Sequence, residues 1–310
     1  MSERLAFVTG ATGFIGFHIA RLLAAEGWHT VALHRPSADT RLLEALHVEL
    51  VTGDLANRAS ILSSVPEGTD AIFHVAGNVS FEAAGDTAQN ADNILGTENI
   101  VAAALERNCA RFIYTSTGAT FGLHDGWVTE ETPSNATDIP INYFRTKTLA
   151  EDAVRAACAG GLDAVILNPA NVVGPYDRSI WTPFVLAVAA GAIPGIGPGA
   201  GSFCHIDEVA RAHLAAFHRG GRGERYLLAG AVAKFADVGN LVARLTGGTA
   251  PPVVDTAPPG VSPETFELMS RVQEIDCTKA CRELGFKPVT IETMFTDLVD
   301  WLQAEGRLPA

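Results

Sequence analysis

The chain has little positive charge. Of its 310 residues, 22 are Lys or Arg and 35 are Asp or Glu, which gives a formal net charge of −13. Proteins that bind nucleic acid concentrate positive charge on one face or groove, and this sequence has no basic run of the required length. We therefore expect no nucleic acid among the partners of the protein.

Long hydrophobic runs and cysteine pairs are also scarce. No apolar stretch approaches the roughly 20 residues needed to span a bilayer, and residues 1–4 lead directly into a short strand rather than into a signal-peptide core. These features predict a cytoplasmic protein with no membrane partner. Among five cysteines, only Cys277 and Cys281 lie close in sequence. Because no second Cys or His pair completes a site with them, we expect two ordinary thiols and no metal.

Apolar residues, in contrast, are abundant. They make up 47% of the chain and charged residues only 18%, below the roughly 25% of typical soluble domains, so a large core can be buried. Short apolar runs alternate with helix-period segments, a pattern typical of buried parallel strands. This pattern predicts an α/β fold with a Rossmann-type, doubly wound parallel sheet that binds ligands at the carboxyl ends of its strands. The predicted strands are 5–9, 30–34, 48–51, 71–75, 111–115 and 164–168.

The pattern changes after residue 174. Two Gly- and Pro-rich loops, 191–201 and 249–263, indicate a second, smaller α/β domain interleaved with the first. Residues 202–218 predict a strand end and then a helix, with Asp207 near its start as a capping carboxylate, and residues 224–228 predict a further strand. We therefore expect a nucleotide-binding domain, 1–173, with 202–230 packing back onto it. The smaller, substrate-binding domain would then comprise 174–201 and 231–310.

A glycine-rich turn follows the first predicted strand. The sequence TGATGFIG places Gly10, Gly13 and Gly16 between that strand and an amphipathic helix. In a dinucleotide site the first glycine allows the tight turn, the second lets the backbone approach a pyrophosphate, and the third permits close helix packing. The helix N-terminus attracts the phosphates. The context therefore predicts a nicotinamide dinucleotide site.

The end of the second strand indicates which dinucleotide binds. An NAD-specific site has a carboxylate there for the adenosine ribose, but this chain has His34-Arg35-Pro36-Ser37. The guanidinium of Arg35 can bind a 2′-phosphate bidentately, with Ser37 or Arg41 assisting, so NADP(H) is favoured over NAD. The alternative for Arg35 is a solvated surface cation. Asp54, after the third strand, either accepts a hydrogen bond from adenine or caps a turn.

Tyr143 and Lys147 are spaced by one helical turn, which puts both side chains on one helix face. A nearby ammonium would lower the phenol pKa from its usual value of about 10 and make Tyr143 a usable acid and base. Ser116 and Thr117 follow the fifth strand, so a hydroxyl can point into the same crevice. Such a pair would hold a substrate carbonyl oxygen beside a nicotinamide that delivers hydride.

These motifs together resemble the extended short-chain dehydrogenase/reductases, in the branch that includes dihydroflavonol reductase-like proteins and nucleotide-sugar epimerases. The resemblance covers nearly the whole chain. Besides the glycine-rich turn, its motifs are GDL at 53–55, HVAG at 74–77, NILGT at 93–97, YTSTGATFG from 114, YFRTK at 143–147, NPANVVGP at 168–175, CHIDEVARAH from 204 and KACRELGF at 279–286.

The resemblance implies roles for individual residues. Tyr143 would be the catalytic acid and base, Lys147 would bind the nicotinamide ribose, and Thr117 would be the catalytic hydroxyl, with Ser116 as an alternative. Asp54 would contact adenine. The further cofactor-binding residues that it implies are Gly10, Thr12, Gly13, Phe14, Ile15, Gly16, Leu55, Ala76, Gly77, Asn78, Asn168, Pro169 and Asn171.

Other polar and aromatic residues near the motifs have competing interpretations. We expect Asn93 to cap a helix rather than act in the site, His74 to pack against the sheet, and His205 to lie at the domain junction. Loop residues that would line a substrate pocket, or simply pack, are Asn78, Phe81, Phe121, Asn142 and Trp181.

Local sequence separates the possible reactions. Thr117 is followed by Gly118 and Ala119 rather than the acidic pair expected of a nucleotide-sugar dehydratase. Arg35 favours a reductase with exchangeable NADPH over an epimerase with retained NAD, and Asn168 stands where the nucleotide-sugar enzymes commonly have Arg. We therefore predict an NADPH-dependent reductase of a fairly apolar ketone or aldehyde, reversible as an alcohol dehydrogenase. The alternatives are an NAD-dependent nucleotide-sugar epimerase and a non-catalytic NADP-binding scaffold.

The resemblance also suggests a homodimer. Its interface would be formed by the helix that contains Tyr143 and by the helix at 93–108. Alanine-rich faces would permit close packing of these helices, and burial within one chain is the competing explanation for the same residues: Ala102, Ala103, Ala104, Ala150, Ala153 and Ala157.

Overall fold

The computed structural model describes residues 4–81 and 85–309. Its strands are β1 (Leu5–Thr9), β2 (His29–His34), β3 (Glu49–Thr52), β4 (Ala71–His74), β5 (Arg111–Thr115), β6 (Trp127–Val128), β7 (Ala164–Pro169), β8 (Asn171–Val173), β9 (Ala200–His205), β10 (Arg225–Leu228), β11 (Val232–Lys234) and β12 (Glu274–Ile275). Its α-helices are α1 (Phe14–Ala25), α2 (Arg41–Glu44), α3 (Arg58–Ser64), α4 (Asp86–Asn90), α5 (Gly96–Glu106), α6 (Asn142–Ala159), α7 (Trp181–Ala189), α8 (Ile206–Arg219), α9 (Phe235–Thr246), α10 (Pro263–Ser270), α11 (Thr278–Leu284) and α12 (Ile291–Ala304).

The central sheet has seven strands in the order β10-β7-β5-β4-β1-β2-β3, and every neighbouring pair is parallel. The chain reverses its direction of growth between β1 and β4, and such a switch point opens a crevice at the carboxyl ends of the strands. The predicted Rossmann-type fold is therefore confirmed. The six strands predicted from apolar runs are all present, with ends that differ by one residue or none.

Two helical layers cover the sheet. One face carries α1 and α8, and its core includes Phe17, Leu23 and Val209. The other face carries α3, α5 and α6, and its core includes Ile61, Ile100 and Val154. Because both faces are covered, all four residues of β4 are buried, which explains why these strands appear as unbroken apolar runs in the sequence.

A three-stranded sheet of order β11-β9-β8 packs with α7, α9 and α12. Trp181 lies at the centre of this second core, with ring centroids 5.2 Å from Phe203 and 5.5 Å from Phe295. Part of the C-terminal segment, however, belongs to the first core: Leu284 and Phe286 are buried with α8 and the central sheet. The predicted assignment of all of 231–310 to the smaller domain is wrong for this part of the chain, because α11 packs on α8 and β10.

Helix α8 is capped by His205 rather than by Asp207, the residue that was predicted. The Nδ1 atom of His205 accepts a hydrogen bond from the Asp207 backbone N–H at 3.1 Å, so His205 is the cap. Asp207 instead accepts a hydrogen bond from Arg21 at 2.9 Å and lies beside His18. The Nε2 atom of His205 also lies 3.1 Å from the Asp297 carboxylate on α12, so His205 does lie at the junction of the two cores.

The described parts of the chain contain no helix that is both long enough and apolar enough to cross a membrane.

Two histidines are buried as neutral rings. The Nδ1 atom of His213 donates to the Val209 carbonyl at 2.7 Å, so its Nε2 accepts from the Thr115 hydroxyl at 2.8 Å. His74 lies between the hydroxyls of Thr9 and Thr97 at 2.7 and 3.0 Å, which confirms that it packs within the sheet. Burial lowers the pKa of His213 to about 4 and that of His74 to about 3.

These two pKa values predict loss of stability in mild acid. An unfolded histidine takes up a proton below about pH 6.5, whereas folded His213 does so only near pH 4. Between these values the unfolded state binds more protons, so each ring decreases the unfolding free energy by about 1.4 kcal/mol per pH unit as the pH falls. The unfolding free energy can be measured by urea denaturation at several pH values between about 4 and 6.5. In His213→Gln its slope against pH should be smaller by about that amount. An unchanged slope would mean that folded His213 is already charged.

Candidate active site

A cleft of about 1160 Å³ lies at the carboxyl ends of the central strands. One half, here called the nucleotide half, is lined by the glycine-rich turn and the residues after β2, β3 and β4. The other half, called the substrate half, is lined by Tyr143, Phe81 and side chains from α7, β9, α10 and β12. The two halves meet where β5 ends, at Thr117.

The backbone of the glycine-rich turn is packed so closely that no side chain fits at two of its glycines. Gly10 has a φ of +72°, and a Cβ atom there would lie 2.6 Å from the Ala76 backbone nitrogen. A Cβ at Gly16 would overlap the Gly10 carbonyl oxygen. Gly13 precedes α1 without any side-chain cap, and the first turn has no acidic residue. The helix N–H groups are therefore available to an anion, and the turn fits the dinucleotide predicted from its sequence.

Arg35 and Ser37 line the nucleotide half. The Arg35 side chain is 71% exposed, and its Nη1 atom lies 4.0 Å from Asp92. Arg41 is bound to Asp39 by two nitrogens, at 2.9 and 2.7 Å, and this pairing holds the pKa of Asp39 well below its usual range. Arg35 is thus more available to a 2′-phosphate than Arg41.

Arg178 is a further cation at this end of the cleft, and sequence reasoning did not identify it. It follows β8 and lies 4.0 Å from the Asp39 carboxylate. Its position could not be inferred from a motif, because it depends on how the segment after β8 passes over the loop after β2.

Asp54 caps a turn, since its Oδ1 accepts a hydrogen bond from the Ala56 N–H at 3.0 Å. Asp54 and Leu55 also line the nucleotide half. A carboxylate can accept several hydrogen bonds, so the cap leaves capacity for an adenine amino group.

The loop after β4, with Ala76, Gly77 and Asn78, passes along the cleft. Asn93 holds this loop: its Oδ1 accepts from the Asn78 N–H at 2.7 Å, and its Nδ2 donates to the Asn78 carbonyl at 3.0 Å and to Thr146 at 3.1 Å. The prediction that Asn93 caps a helix is therefore wrong. It lies in a π-helical turn, 91–95, a feature that often occurs at functional sites.

Thr117 and Tyr143 meet at the centre of the cleft. Burial raises the pKa of Tyr143, and a hydrogen bond with the Thr117 side chain opposes that rise. Ser116, in contrast, donates to the buried Glu151 carboxylate at 2.5 Å. Of the two hydroxyl residues proposed from the sequence, Thr117 is therefore the one placed beside the phenol.

Lys147 lies behind the loop that contains Gly77, with its Nζ atom 3.9 Å from the position that a Gly77 Cβ would take. The ammonium donates to the Tyr114 hydroxyl and the Thr115 carbonyl, both at 2.9 Å. Burial lowers the pKa of Lys147 to about 8, and the charge of Glu151 opposes this effect. The expected lowering of the Tyr143 pKa by Lys147 is not found, because the ammonium bonds to Tyr114 instead.

The predicted substrate residues divide into two groups. Asn78, Phe81 and Trp181 line the cleft, and the Phe81 ring lies edge-on to Tyr143 at 5.5 Å. Phe121 and Asn142 are placed away from it. Phe121 is fully buried beneath the Arg225 guanidinium at 3.7 Å, and Asn142 donates to Gln89 on α4 at 3.0 Å.

The predicted cofactor residues after β7 also divide. The Asn168 side chain turns away from the cleft and donates to Glu151 at 2.7 Å. Pro169 and Asn171 line the cleft, and the Asn171 amide donates to the Ser202 carbonyl at 2.9 Å.

Most of the apolar lining of the substrate half was not predicted. It comes from segments between residues 180 and 275 that carry no motif, so only the tertiary structure brings them to the cleft. These residues are Ile180, Phe184, Ile196, Phe235, Leu268, Met269 and Ile275.

Comparison with known proteins decides the family. The sequence pattern of the NAD-dependent epimerase/dehydratase family matches residues 6–229. This chain belongs to that family. Its members include reductases, epimerases and dehydratases that use a nicotinamide cofactor, and the resemblance to the extended short-chain dehydrogenase/reductases is confirmed.

Three relatives illustrate the similarity. A Methylococcus capsulatus protein named sterol demethylase protein B is 29% identical over 97% of this chain and 99% of its own. A Synechocystis sp. protein provisionally named as a dihydroflavonol 4-reductase is 30% identical over 97% of this chain and 95% of its own. The crystal structure of gox2253 superposes with a TM-score of 0.89 at 29% identity and covers 99% of this chain and 100% of that one.

The raised pKa of Tyr143 leads to a prediction for the isolated protein. The chain has four tyrosines, and the phenolate absorbance of Tyr143 is the difference between the wild-type titration and that of Tyr143→Phe. Because burial disfavours the phenolate, we expect no such difference below about pH 9. Phenolate formation near neutral pH that disappears in Lys147→Met would instead show that the ammonium does lower the pKa of this phenol.

Proposed function

We propose that the protein is an NADPH-dependent reductase that converts an apolar ketone or aldehyde to the alcohol, and that it also catalyses the reverse reaction. The observation that supports this most strongly is the uneven distribution of charge in the cleft. In the described parts of the chain, the charged lining residues are Arg35, Asp39, Asp54, Asp92, Asp177 and Arg178, and the substrate half is otherwise mainly aliphatic and aromatic.

The two lining arginines are on the cofactor side. Arg35 lies 4.0 Å from Asp92 and Arg178 lies 4.0 Å from Asp39, around the end of β2. The carboxylate of Asp177 accepts hydrogen bonds from the first N–H groups of α7, at 2.6 and 2.8 Å. A nucleotide-sugar substrate carries a diphosphate, which proteins bind with cations or free helix N–H groups. The substrate half therefore suits an uncharged, apolar molecule better.

Aromatic rings define the shape of the substrate half. Phe81 is edge-on to Tyr143, and Trp181 and Phe184, which also line the cleft, pack against each other at 5.6 Å. Such walls bind flat or bulky hydrocarbon by area rather than by hydrogen bonds. The names of the relatives, one with a sterol and one with a dihydroflavonol, accord with a substrate built from several rings.

The chain's own residues supply the acid chemistry. Thr117 and Tyr143 hold the substrate oxygen with two hydroxyls. A dihydronicotinamide bound in the nucleotide half would supply the hydride that the carbonyl carbon takes up. Tyr143 then donates its proton to the oxygen, so the carbonyl becomes an alcohol and the phenolate is reprotonated from solvent. Lys147 lies behind the loop that contains Gly77 and bonds to Tyr114 and Thr115 with two of its three N–H donors. In the proposed complex the third donor would serve a cofactor hydroxyl at this loop.

We also propose a homodimer, supported by exposed leucines rather than by the alanine-rich faces. Ala103, Ala104 and Ala150 are buried in the chain's own core, so burial within one chain explains these alanines. Exposed leucines on the outer faces of the predicted interface helices offer better support: Leu105 on α5 is 47% exposed and Leu149 on α6 is 37% exposed. A second copy that covers them would remove this apolar surface from water.

A substrate screen tests the proposed function. We expect NADPH oxidation with apolar cyclic or aromatic ketones and none with nucleotide sugars. Tyr143→Phe should lower kcat about 100-fold or more while the NADPH dissociation constant stays within about twofold. Isomerisation of a nucleotide sugar without net NADPH oxidation would favour the epimerase. NADPH binding without any turnover would favour the scaffold.

A second prediction concerns the choice of cofactor. Arg35→Ala should weaken NADPH binding about 10- to 100-fold, because a charge-assisted pair contributes about 1.5–3 kcal/mol, while NADH binding should change little. Nucleotide fluorescence measures both constants. Arg58→Ala, which removes an exposed cation bound to Glu106 on the far helical layer, is the matched control and should change neither. Equal weakening of both nucleotides in Arg35→Ala would overturn the NADPH assignment.

A further inference from the structure

Glu151 is a carboxylate buried beneath the active site. It lies on α6, one helical turn after Lys147 and two turns after Tyr143, and is only 3% exposed. A buried carboxylate is strongly unfavourable unless it is paired and fully hydrogen-bonded. The partners of Glu151 therefore indicate what this carboxylate does.

Three of those partners come from the strand ends that form the site. The Oε2 atom of Glu151 accepts hydrogen bonds from Ser116 at 2.5 Å, from Asn168 at 2.7 Å and from Thr120 at 3.1 Å. Ser116 precedes Thr117 directly, and the Asn168 amide also donates to the Thr117 carbonyl at 3.1 Å. One carboxylate oxygen thus joins α6 to β5 and β7 around the residue that presents its hydroxyl to Tyr143.

The other carboxylate oxygen faces a cation. The Nε atom of Arg225, on β10, lies 2.9 Å from Oε1, and the guanidinium stacks over Phe121 at 3.7 Å. Burial lowers the pKa of Arg225, and the charge of Glu151 opposes that effect. The pair therefore places two opposite charges below the cleft.

The negative charge of Glu151 also acts on Lys147. The titratable groups around that ammonium are His74 on β4, Tyr114 on β5, and Tyr143 and Glu151 on α6. His74 is a neutral ring and the two phenols have raised pKa values, so Glu151 is the one anion in this described set. It opposes the loss of the Lys147 proton that burial favours.

We propose that Glu151 is a positioning residue of the active site, which fixes the strand end that carries Thr117 and keeps Lys147 in its ammonium form. This role rests on the proposed function for its effect on turnover, but its effect on Lys147 exists in the protein without substrate. Glu151 does not contact the cleft, so it acts through Ser116, Asn168 and Lys147.

The experiment measures the protonation of Lys147 directly. The chain has lysines only at 147, 234, 279 and 287, so NMR of side-chain-labelled lysine can follow each one, and Lys147→Arg assigns the signal. Glu151→Gln should lower the Lys147 pKa by about one unit or more. It also leaves Arg225 buried without its partner, which can prevent folding. Glu151→Gln combined with Arg225→Gln replaces the ion pair with two amides and should show the same shift.

Two control variants isolate the carboxylate. Arg225→Gln alone keeps the Glu151 charge, so Lys147 should stay an ammonium to at least as high a pH as in the wild type. Glu208→Gln removes another buried carboxylate, on α8, which pairs with Arg211 and accepts from the Lys287 N–H at 3.1 Å, and it should leave Lys147 unchanged. An unchanged Lys147 pKa in the Glu151→Gln/Arg225→Gln variant would overturn the proposal.

Turnover provides the second measurement. In the Glu151→Gln/Arg225→Gln variant, the alkaline limb of the kcat/KM pH profile should move to lower pH by the same amount as the Lys147 pKa. A merely structural defect would instead lower activity equally at every pH. If the limb stays in place while Lys147 loses its proton at lower pH, Lys147 has no part in the reaction. That result would contradict the proposed mechanism, whereas the inference about Glu151 would stand. A uniform loss of activity with no lysine shift would overturn the role of Glu151 at Lys147 and leave only its role at the strand end that carries Thr117.

Discussion

The site depends on a charged ammonium held inside the protein at the end of β5. Lys147 is buried, and its pKa is lowered to about 8, so the surrounding groups must supply nearly all the stabilisation that water would give. The Tyr114 hydroxyl and the Thr115 carbonyl bond to it directly, and Glu151 stabilises it by charge. These contacts fix α6 against β5, and α6 also carries Tyr143. The contacts of the ammonium therefore contribute to the position of the phenol, together with the apolar packing of α6.

The cleft combines two kinds of surface from two cores. Backbone geometry forms the nucleotide half, since the backbone packs so closely around Gly10 and Gly16 that a Cβ atom at either position would overlap it. Side chains from α7 and the segments up to β12 form the substrate half. Arg178, which follows β8, lies near Asp39 across the nucleotide half, so the second core also contributes to the cofactor end. The two halves of the cleft are thus joined by the packing of the two cores.

The sequence predicted the parts of this structure that depend on local pattern. Continuous apolar runs gave the strands, because a sheet covered on both faces needs them, and the glycine spacing gave the dinucleotide turn. Contacts made across the fold were not predictable. Phe121 follows β5 and was expected in the pocket. Its ring is instead covered by Arg225, which lies more than a hundred residues later in the chain. Asn93 was expected to cap a helix. Its bonds to Asn78 and Thr146 could not be predicted, because they depend on the π-helical turn.

The Lys147 ammonium bonds to Tyr114 rather than to Tyr143, so it does not offset the rise that burial causes in the pKa of Tyr143. A phenol whose pKa is raised by burial stays protonated at neutral pH, which suits a group that must give a proton to a developing alkoxide. The same burial disfavours the phenolate, which is the form that accepts the proton when an alcohol is oxidised. Thr117 can only partly offset this with one hydrogen bond. The raised pKa of Tyr143 therefore fits the proton donor of the proposed reduction, and Arg35, 4.0 Å from Asp92, lines the nucleotide half of the same cleft.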